Sequence, residues 1–271
     1  CLIWDRLTPL GEDRALPKCR YFDWPVGATV YNDGERVILM KLGCLWGANH
    51  DHLDTGCFQI YDGEILASDS GVYDSYGTLH RRRYTIQTLA HNCILVDGKG
   101  TRFPCEKKEP KTLNSWLSEY GMAKVLSHSE ADGIYEIEGD LSEAYAETCH
   151  SVTRKMRWEP NRGERGILTV SDRVVPTDEN STVTFLIHTQ KEPFVDGNKI
   201  AIKGEKRELD CRIKSPAEVK ITLNGGEGRR FEADGTDYLP GVDTSEAGWG
   251  RIEISACGSV TFEIEMEIRK K

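Results

Sequence analysis

Apolar and polar residues alternate along much of this chain with the two-residue period of β-strands. The tail shows it best. Over residues 260–268, Phe262, Ile264, Met266 and Ile268 fall on one face and Thr261, Glu263, Glu265 and Glu267 on the other. Near the start, Thr29-Val30-Tyr31 is followed by the turn residues Asn32-Asp33-Gly34 and then by a second apolar run within 35–41, the pattern of a hairpin. Phe58-Gln59-Ile60-Tyr61, Asp62-Gly63 and Glu64-Ile65-Leu66-Ala67 predict another, in which Asp-Gly favours a two-residue type I′ turn. Ile94-Leu95-Val96 before Asp97-Gly98 repeats strand and turn, and further strands are predicted at 133–138, 149–158, 166–170 and 183–188. Helical patterns are short and few. Residues 1–25, broken by Pro9, Gly11 and Pro17, read as irregular, and 225–250, rich in Gly, Asp and Glu, as a long loop. Many short strands joined by turns predict an all-β fold, a large antiparallel β-sandwich over residues 26–271.

Composition narrows the partners. The 271 residues are 38% hydrophobic and 29% charged, which suits a globular protein with a sizeable core. No apolar run is long enough for a membrane helix, and a net charge of −9 argues against nucleic acid or an anionic membrane as a whole-surface partner. A local basic patch can still hold an anionic substrate, because distant charge is screened beyond about 10 Å. Nine cysteines with no C-x-x-C pair exclude a zinc ribbon or a thioredoxin motif and read as reduced, buried thiols. Reduced thiols lean towards a cytoplasmic setting, with a periplasmic or secreted one left open. The chain opens without Met and reads as a fragment or a processed product.

Chemistry-bearing residues gather in three blocks. The first is Asn49-His50-Asp51-His52-Leu53-Asp54, the second Ser68-Asp69-Ser70-Gly71, the third Ala90-His91-Asn92. With Asp62-Gly63 as the turn, Tyr61 faces Glu64 and Gly56 faces Asp69, which sets Asp69 on the face shared by His50, His52 and Asp54. A regular ladder would hold Asp69 about 13 Å from His52, so the chain must bend near Asp54 for them to meet. Two histidines and a carboxylate suit zinc or a similar divalent ion, and His52, Asp69 and His91 are the candidate ligands. Spacing alone favours satisfied polar residues in a sheet. Between the second and third blocks lie Tyr73, Tyr76 and Tyr84 with His80-Arg81-Arg82-Arg83. A tyrosine beside cations can carry a proton, and Arg81, Arg82 and Arg83 could hold a carboxylate or sulfate. A solvated basic strand beside core aromatics is the plainer reading.

Together with Val72-Tyr73 after the second block and Cys93-Ile94-Leu95-Val96-Asp97-Gly98 after the third, these blocks resemble the heparinase II/III-like polysaccharide lyases, which include alginate and oligoalginate lyases. Gly139-Asp140-Leu141, Tyr145, Arg154 and Ser171-Asp172-Arg173-Val174 extend the likeness over about residues 27–188. The resemblance implies a β-sandwich domain that follows an N-terminal α/α toroid. It also implies β-elimination on a uronic-acid polysaccharide. By position His50 corresponds to the family's catalytic histidine, His52, Asp69 and His91 to its metal ligands, and Tyr76 to the β-domain tyrosine near the cleft, with Tyr73 as the other choice. The metal, zinc or a similar ion, is then mainly structural. Nothing here resembles the helical domain, which supplies further essential groups, so the chain is expected to be one part of a lyase whose partner is an anionic polysaccharide. The alternatives are a non-catalytic carbohydrate-binding or structural sandwich and a metal-dependent hydrolase.

Overall fold

The computed structural model describes residues 17–23, 26–43, 52–102, 123–245 and 247–271. Nineteen strands run in chain order among these residues. The first six are β1 (Cys19–Phe22), β2 (Ala28–Asn32), β3 (Arg36–Lys41), β4 (Phe58–Asp62), β5 (Ile65–Ala67) and β6 (Ile94–Val96). Next come β7 (Lys124–Ala131), β8 (Ile134–Asp140), β9 (Cys149–Glu159), β10 (Ile167–Pro176), β11 (Thr182–Thr189), β12 (Pro193–Asp196) and β13 (Lys199–Lys203). The last are β14 (Arg207–Ser215), β15 (Lys220–Gly225), β16 (Glu232–Ala233), β17 (Thr236–Asp237), β18 (Gly250–Cys257) and β19 (Val260–Lys270).

The strands build three main sheets, all antiparallel. Five strands lie in the order β1-β2-β3-β4-β5, eight in the order β12-β13-β14-β19-β10-β9-β8-β7, and four in the order β15-β18-β11-β6. Alternation decides which side of each sheet is wet. On β19 the even-numbered residues from Val260 to Ile268 are buried and the intervening ones are not. On β9 Val152, Arg154, Met156 and Trp158 point inward in the same way. The eight-stranded sheet packs on both others around one core. Tyr31 of β2 lies against Trp158 of β9 with ring centroids 5.7 Å apart, and Phe185 of β11 against Phe262 of β19 at 6.1 Å. Phe58 of β4 and Phe185 meet at 6.0 Å, which ties the two smaller sheets together. This is the all-β antiparallel sandwich that the alternation predicts. Among the described residues no helix is long and apolar enough to cross a membrane.

Three local readings are corrected. Residues Cys19–Phe22, within the segment taken as irregular, form β1 and pair with β2. The β4–β5 hairpin exists, but Tyr61 pairs with Ile65 and Ile60 with Ala67. The turn therefore takes Asp62, Gly63 and Glu64, Leu66 bulges, and continuing that register brings Asp69 level with Phe58 rather than Gly56. The cause is tertiary. Glu64 turns its carboxylate to the backbone N–H groups of Glu205, Lys206 and Arg207 at 2.6–2.7 Å. Asp62, fully buried, pairs with Arg165 and Arg207. Neither partner is visible from the local sequence. Finally, Arg81–Thr85 is one wide helical turn, not a strand.

Within 225–250, apart from the Gly225–Gly250 pair that ends the β15–β18 ladder, the only ladder among the described residues is the short β16–β17 pair. Its anchor is a small second core in which Phe231 and Ala233 pack on Tyr84 and Ala90.

Candidate functional site

The site rests on one buried arginine. Arg154 projects inward from β9 and is 1% exposed. Its Nε and Nη2 each donate to a carboxylate oxygen of Asp172 at 2.6 Å, and its Nη1 donates to the carbonyls of Gly56 at 2.5 Å and Asn92 at 2.9 Å. A buried charge is tolerable only when paired and hydrogen-bonded, and here the pairing also holds two distant backbone segments side by side. Gly56 has φ of +89°, and a Cβ there would meet Leu141 Cδ1 at 2.9 Å, so this tight turn admits only glycine. The turn closes with Cys57 N–H donating to Asp54 O at 3.0 Å. It supplies the bend near Asp54 that the sequence demands. Asn92 completes the lock: its Nδ2 donates to Phe58 O at 2.8 Å, and its Oδ1 accepts the backbone N–H of His188 at 2.8 Å.

Held this way, three side chains converge. Cys57 Sγ, an Asp69 oxygen and an His91 nitrogen all lie within 4.8 Å of one another. Asp69 Oδ1 accepts from Cys57 Sγ at 3.1 Å, while Oδ2 accepts from Gln59 Nε2 at 2.9 Å. His91 Nδ1 lies 3.0 Å from Asp69 Oδ1. That contact is a close approach without hydrogen-bond alignment, and among the described residues both ring nitrogens of the fully buried His91 lack a hydrogen-bond partner. The half-buried His52 stands next to it, ring centroids 5.2 Å apart and planes tilted 51°.

The electrostatics are those of a cation-seeking pocket. Burial pulls the His91 imidazole down, but the Asp69 carboxylate outweighs it and lifts the group to about 9. Burial pushes the Asp69 carboxyl up, but His91 and its hydrogen bonds hold it well below the usual carboxylate range. His52 is lowered by burial and then by the charge of His91. His188 is pushed down to about 3, by burial first and then by Arg251 and His91. A carboxylate, an imidazole with unsatisfied nitrogens and a thiol make a donor set that fits zinc or a similar divalent ion.

The other expected residues are placed as follows. His50, with Asn49 and Asp51, lies outside the described residues. Asp54, expected on the histidine face, instead binds Lys41 Nζ through both carboxylate oxygens, at 2.7 and 2.6 Å. Tyr76 is exposed, and the Arg81 guanidinium lies 4.4 Å from its ring centroid. Tyr73 is more exposed still. The charge of Arg81 is felt by the His52 imidazole. Arg82 and Arg83 line a separate cleft of about 570 Å³ with Thr88, Gly100, Thr101 and Asp234. The three arginines therefore do not present one common face. Tyr84 is wholly buried and donates to Ser70 Oγ at 3.0 Å. Sequence reasoning missed Cys57, Gln59 and His188. Only the position of Cys57 immediately before β4, two residues from Gln59, could have hinted that both reach Asp69.

A family profile described as heparinase II/III-like, C-terminal, matches residues 25–258. Among solved structures, the heparinase III BT4657 gene product superposes with a TM-score of 0.70 at 15% identity, over 96% of this chain and 38% of that one. A structure titled heparinase III gives 0.65 at 15% identity, over 95% and 37%. The chain thus spans little more than a third of the length of these neighbours. No curated protein sequence matched.

Proposed function

Because the chain belongs to the heparinase II/III-like family through its C-terminal domain, we propose that it is the β-sandwich part of a polysaccharide lyase. The lyase cleaves uronic-acid-containing polysaccharide by β-elimination, together with an N-terminal α/α toroid domain. The observation that carries this reading is the meeting of Asp69 and His91, drawn from two separate sequence blocks, in one donor cluster with Cys57, with the ring of His52 from a third block 5.2 Å from that of His91.

In this reading His52, Asp69 and His91 hold zinc. Two imidazoles on one tetrahedral ion have ring centres roughly 5 Å apart, from Zn–N distances of about 2.0–2.1 Å plus half a ring each; the observed 5.2 Å agrees. Bound there, the ion would steady the backbone at His52. His50, two residues before it in the sequence, is the proton-transfer group for the elimination, in which the C5 proton leaves and the glycosidic oxygen is protonated. Tyr76 is the second proton carrier, kept in place by its stack with Arg81. Arg81 binds the uronate carboxylate, whose neutralisation makes the C5 proton acidic. Arg82 and Arg83, in their own cleft, bind acidic groups further along the polymer.

The test uses the full-length protein with a panel of uronate polysaccharides, following the absorbance of the unsaturated product. Product is expected with at least one of them and is expected to vanish in His50→Ala, with polymer binding retained. Absence of product from every polymer, across metals and pH, would falsify the proposal.

A further inference from the structure

The donor set around Asp69 contains one group that the histidine–aspartate–histidine reading does not use. Cys57 is 1% exposed, and its sulfur sits against the carboxylate oxygen that also approaches His91. We propose that Cys57 is a metal ligand. Its thiolate, with His52, Asp69 and His91, closes a four-donor site for a soft divalent ion such as zinc, and so leaves no coordination position for water. This inference rests on the metal assignment just given and sharpens it.

The geometry supports it at the two edges that meet on Asp69 Oδ1, and the third donor pair, Cys57 and His91, also falls within 4.8 Å. Ligands at Zn–N and Zn–O of about 2.0–2.1 Å and Zn–S of about 2.3 Å stand roughly 3.3 Å (N···O) and 3.5 Å (S···O) apart around a tetrahedron. The observed separations are 3.0 Å from His91 Nδ1 to Asp69 Oδ1 and 3.1 Å from Cys57 Sγ to Asp69 Oδ1. The first is an ion-pair approach, and neither His91 nitrogen meets an aligned hydrogen-bond partner among the described residues. Both separations are close to those of two ligands on one ion. The other buried thiol nearby, Cys93, turns its sulfur to Thr55 O at 3.4 Å; it also interacts with the Cys57 thiol but lies outside the Cys57–Asp69–His91 donor group. On metal binding the Cys57 proton leaves to solvent and a sulfur–metal bond forms in its place, with no change of oxidation state. A thiolate selects zinc, cobalt or cadmium over calcium or magnesium. Four protein donors make the ion structural, which removes the water a hydrolase would need.

The experiment replaces zinc with cobalt in the reduced protein and records its spectrum. Expected is one equivalent of tetrahedral cobalt with a near-ultraviolet thiolate-to-cobalt charge-transfer band. That band is expected to disappear in Cys57→Ser and persist in Cys93→Ala, and zinc affinity in Cys57→Ser is expected to fall at least tenfold. X-ray absorption of the unmutated zinc protein, which needs no variant, is expected to show one sulfur at about 2.3 Å. Cobalt bound without the band, or a zinc shell of nitrogen and oxygen alone, overturns the inference and leaves the lyase reading intact. No metal uptake at all overturns both the inference and the metal assignment. Sulfur ligation in a protein that yields no unsaturated product upholds the inference and defeats the lyase reading.

Discussion

Arg154 shows how one side chain can hold a site it does not enter. It reaches the carbonyls of Gly56 and Asn92, the residues next to Cys57 and His91, and its charge is balanced only by Asp172. Arg154→Leu leaves that carboxylate buried and unpaired, so a loss of about 3–5 kcal/mol in denaturant unfolding is expected. Arg154→Lys should restore little, since an ammonium cannot span the same fork. His188 gives a pH signature. Its folded-state value of about 3 lies below the ordinary 6.5, so the unfolded chain binds the proton more readily and stability falls as pH drops from about 6.5 towards 3. Asp33 adds a second acid limb. Burial opposes its ionisation, but hydrogen bonds from Arg36 and Glu35 bring it to about 2, so its contribution is lost as pH falls from about 3.8 to 2. Urea midpoints of the chain and of His188→Gln should differ in slope between pH 6.5 and 4; identical profiles would refute the assignment. Asp69 and His91 were legible because they lie in motif blocks. Cys57 was not: it is one of nine cysteines, and only the folded register sets it beside Asp69.

Elements are where sequence pattern and tertiary demand part. The hairpins β2–β3 and β4–β5 follow from apolar runs around Asn-Asp-Gly and Asp-Gly, and both are present. The register of β4–β5 could not be read locally, because Asp62 and Glu64 are engaged with residues more than a hundred positions away. The strand alternation at 260–268 was plain because one face of β19 is core and the other is water. Strands β12 to β15 carry shorter, charge-interrupted patterns and went unread. The engagement of Asp62 gives a prediction at this scale. Its two oxygens are shared by Arg165 and Arg207, which joins the β4–β5 turn to β14 and to the turn before β10. Asp62→Ala should cost about 2–3 kcal/mol, the range for charge-assisted hydrogen bonds, and should raise hydrogen exchange at the β4–β5 amides first. Uniform exchange across all sheets would show instead that the link is not local.

At the scale of the whole molecule, the Cys57–Asp69–His91 cluster lies between sheets, so a metal bound there would couple to global stability. The Cys57 turn leads into β4 of the five-stranded sheet, while His91 sits three residues before β6 of the four-stranded one. An ion joining them stabilises only the folded arrangement, by about 2.7 kcal/mol at a hundredfold excess over Kd. For a chain of this size that is several degrees of melting temperature, at roughly 2–4 °C per kcal/mol. Calorimetry with and without a chelator should show that drop, reversed by zinc and not by magnesium. An unchanged melting temperature would mean that the cluster is held by its hydrogen bonds alone.

The excursion over 225–250 has a consequence of its own. His80 Nδ1 donates to Tyr238 O at 2.5 Å, Gly241 N–H donates to Asp74 Oδ2 at 3.2 Å, and Phe231 packs on Tyr84. Those three anchors bracket Tyr76 and the arginine row but touch none of the donors around Asp69. Lengthening or trimming the excursion can therefore re-aim Tyr76 and Arg81 while the cluster around Asp69 keeps its shape. Under the proposed lyase reading, editing one surface excursion would then be a route to a different polymer.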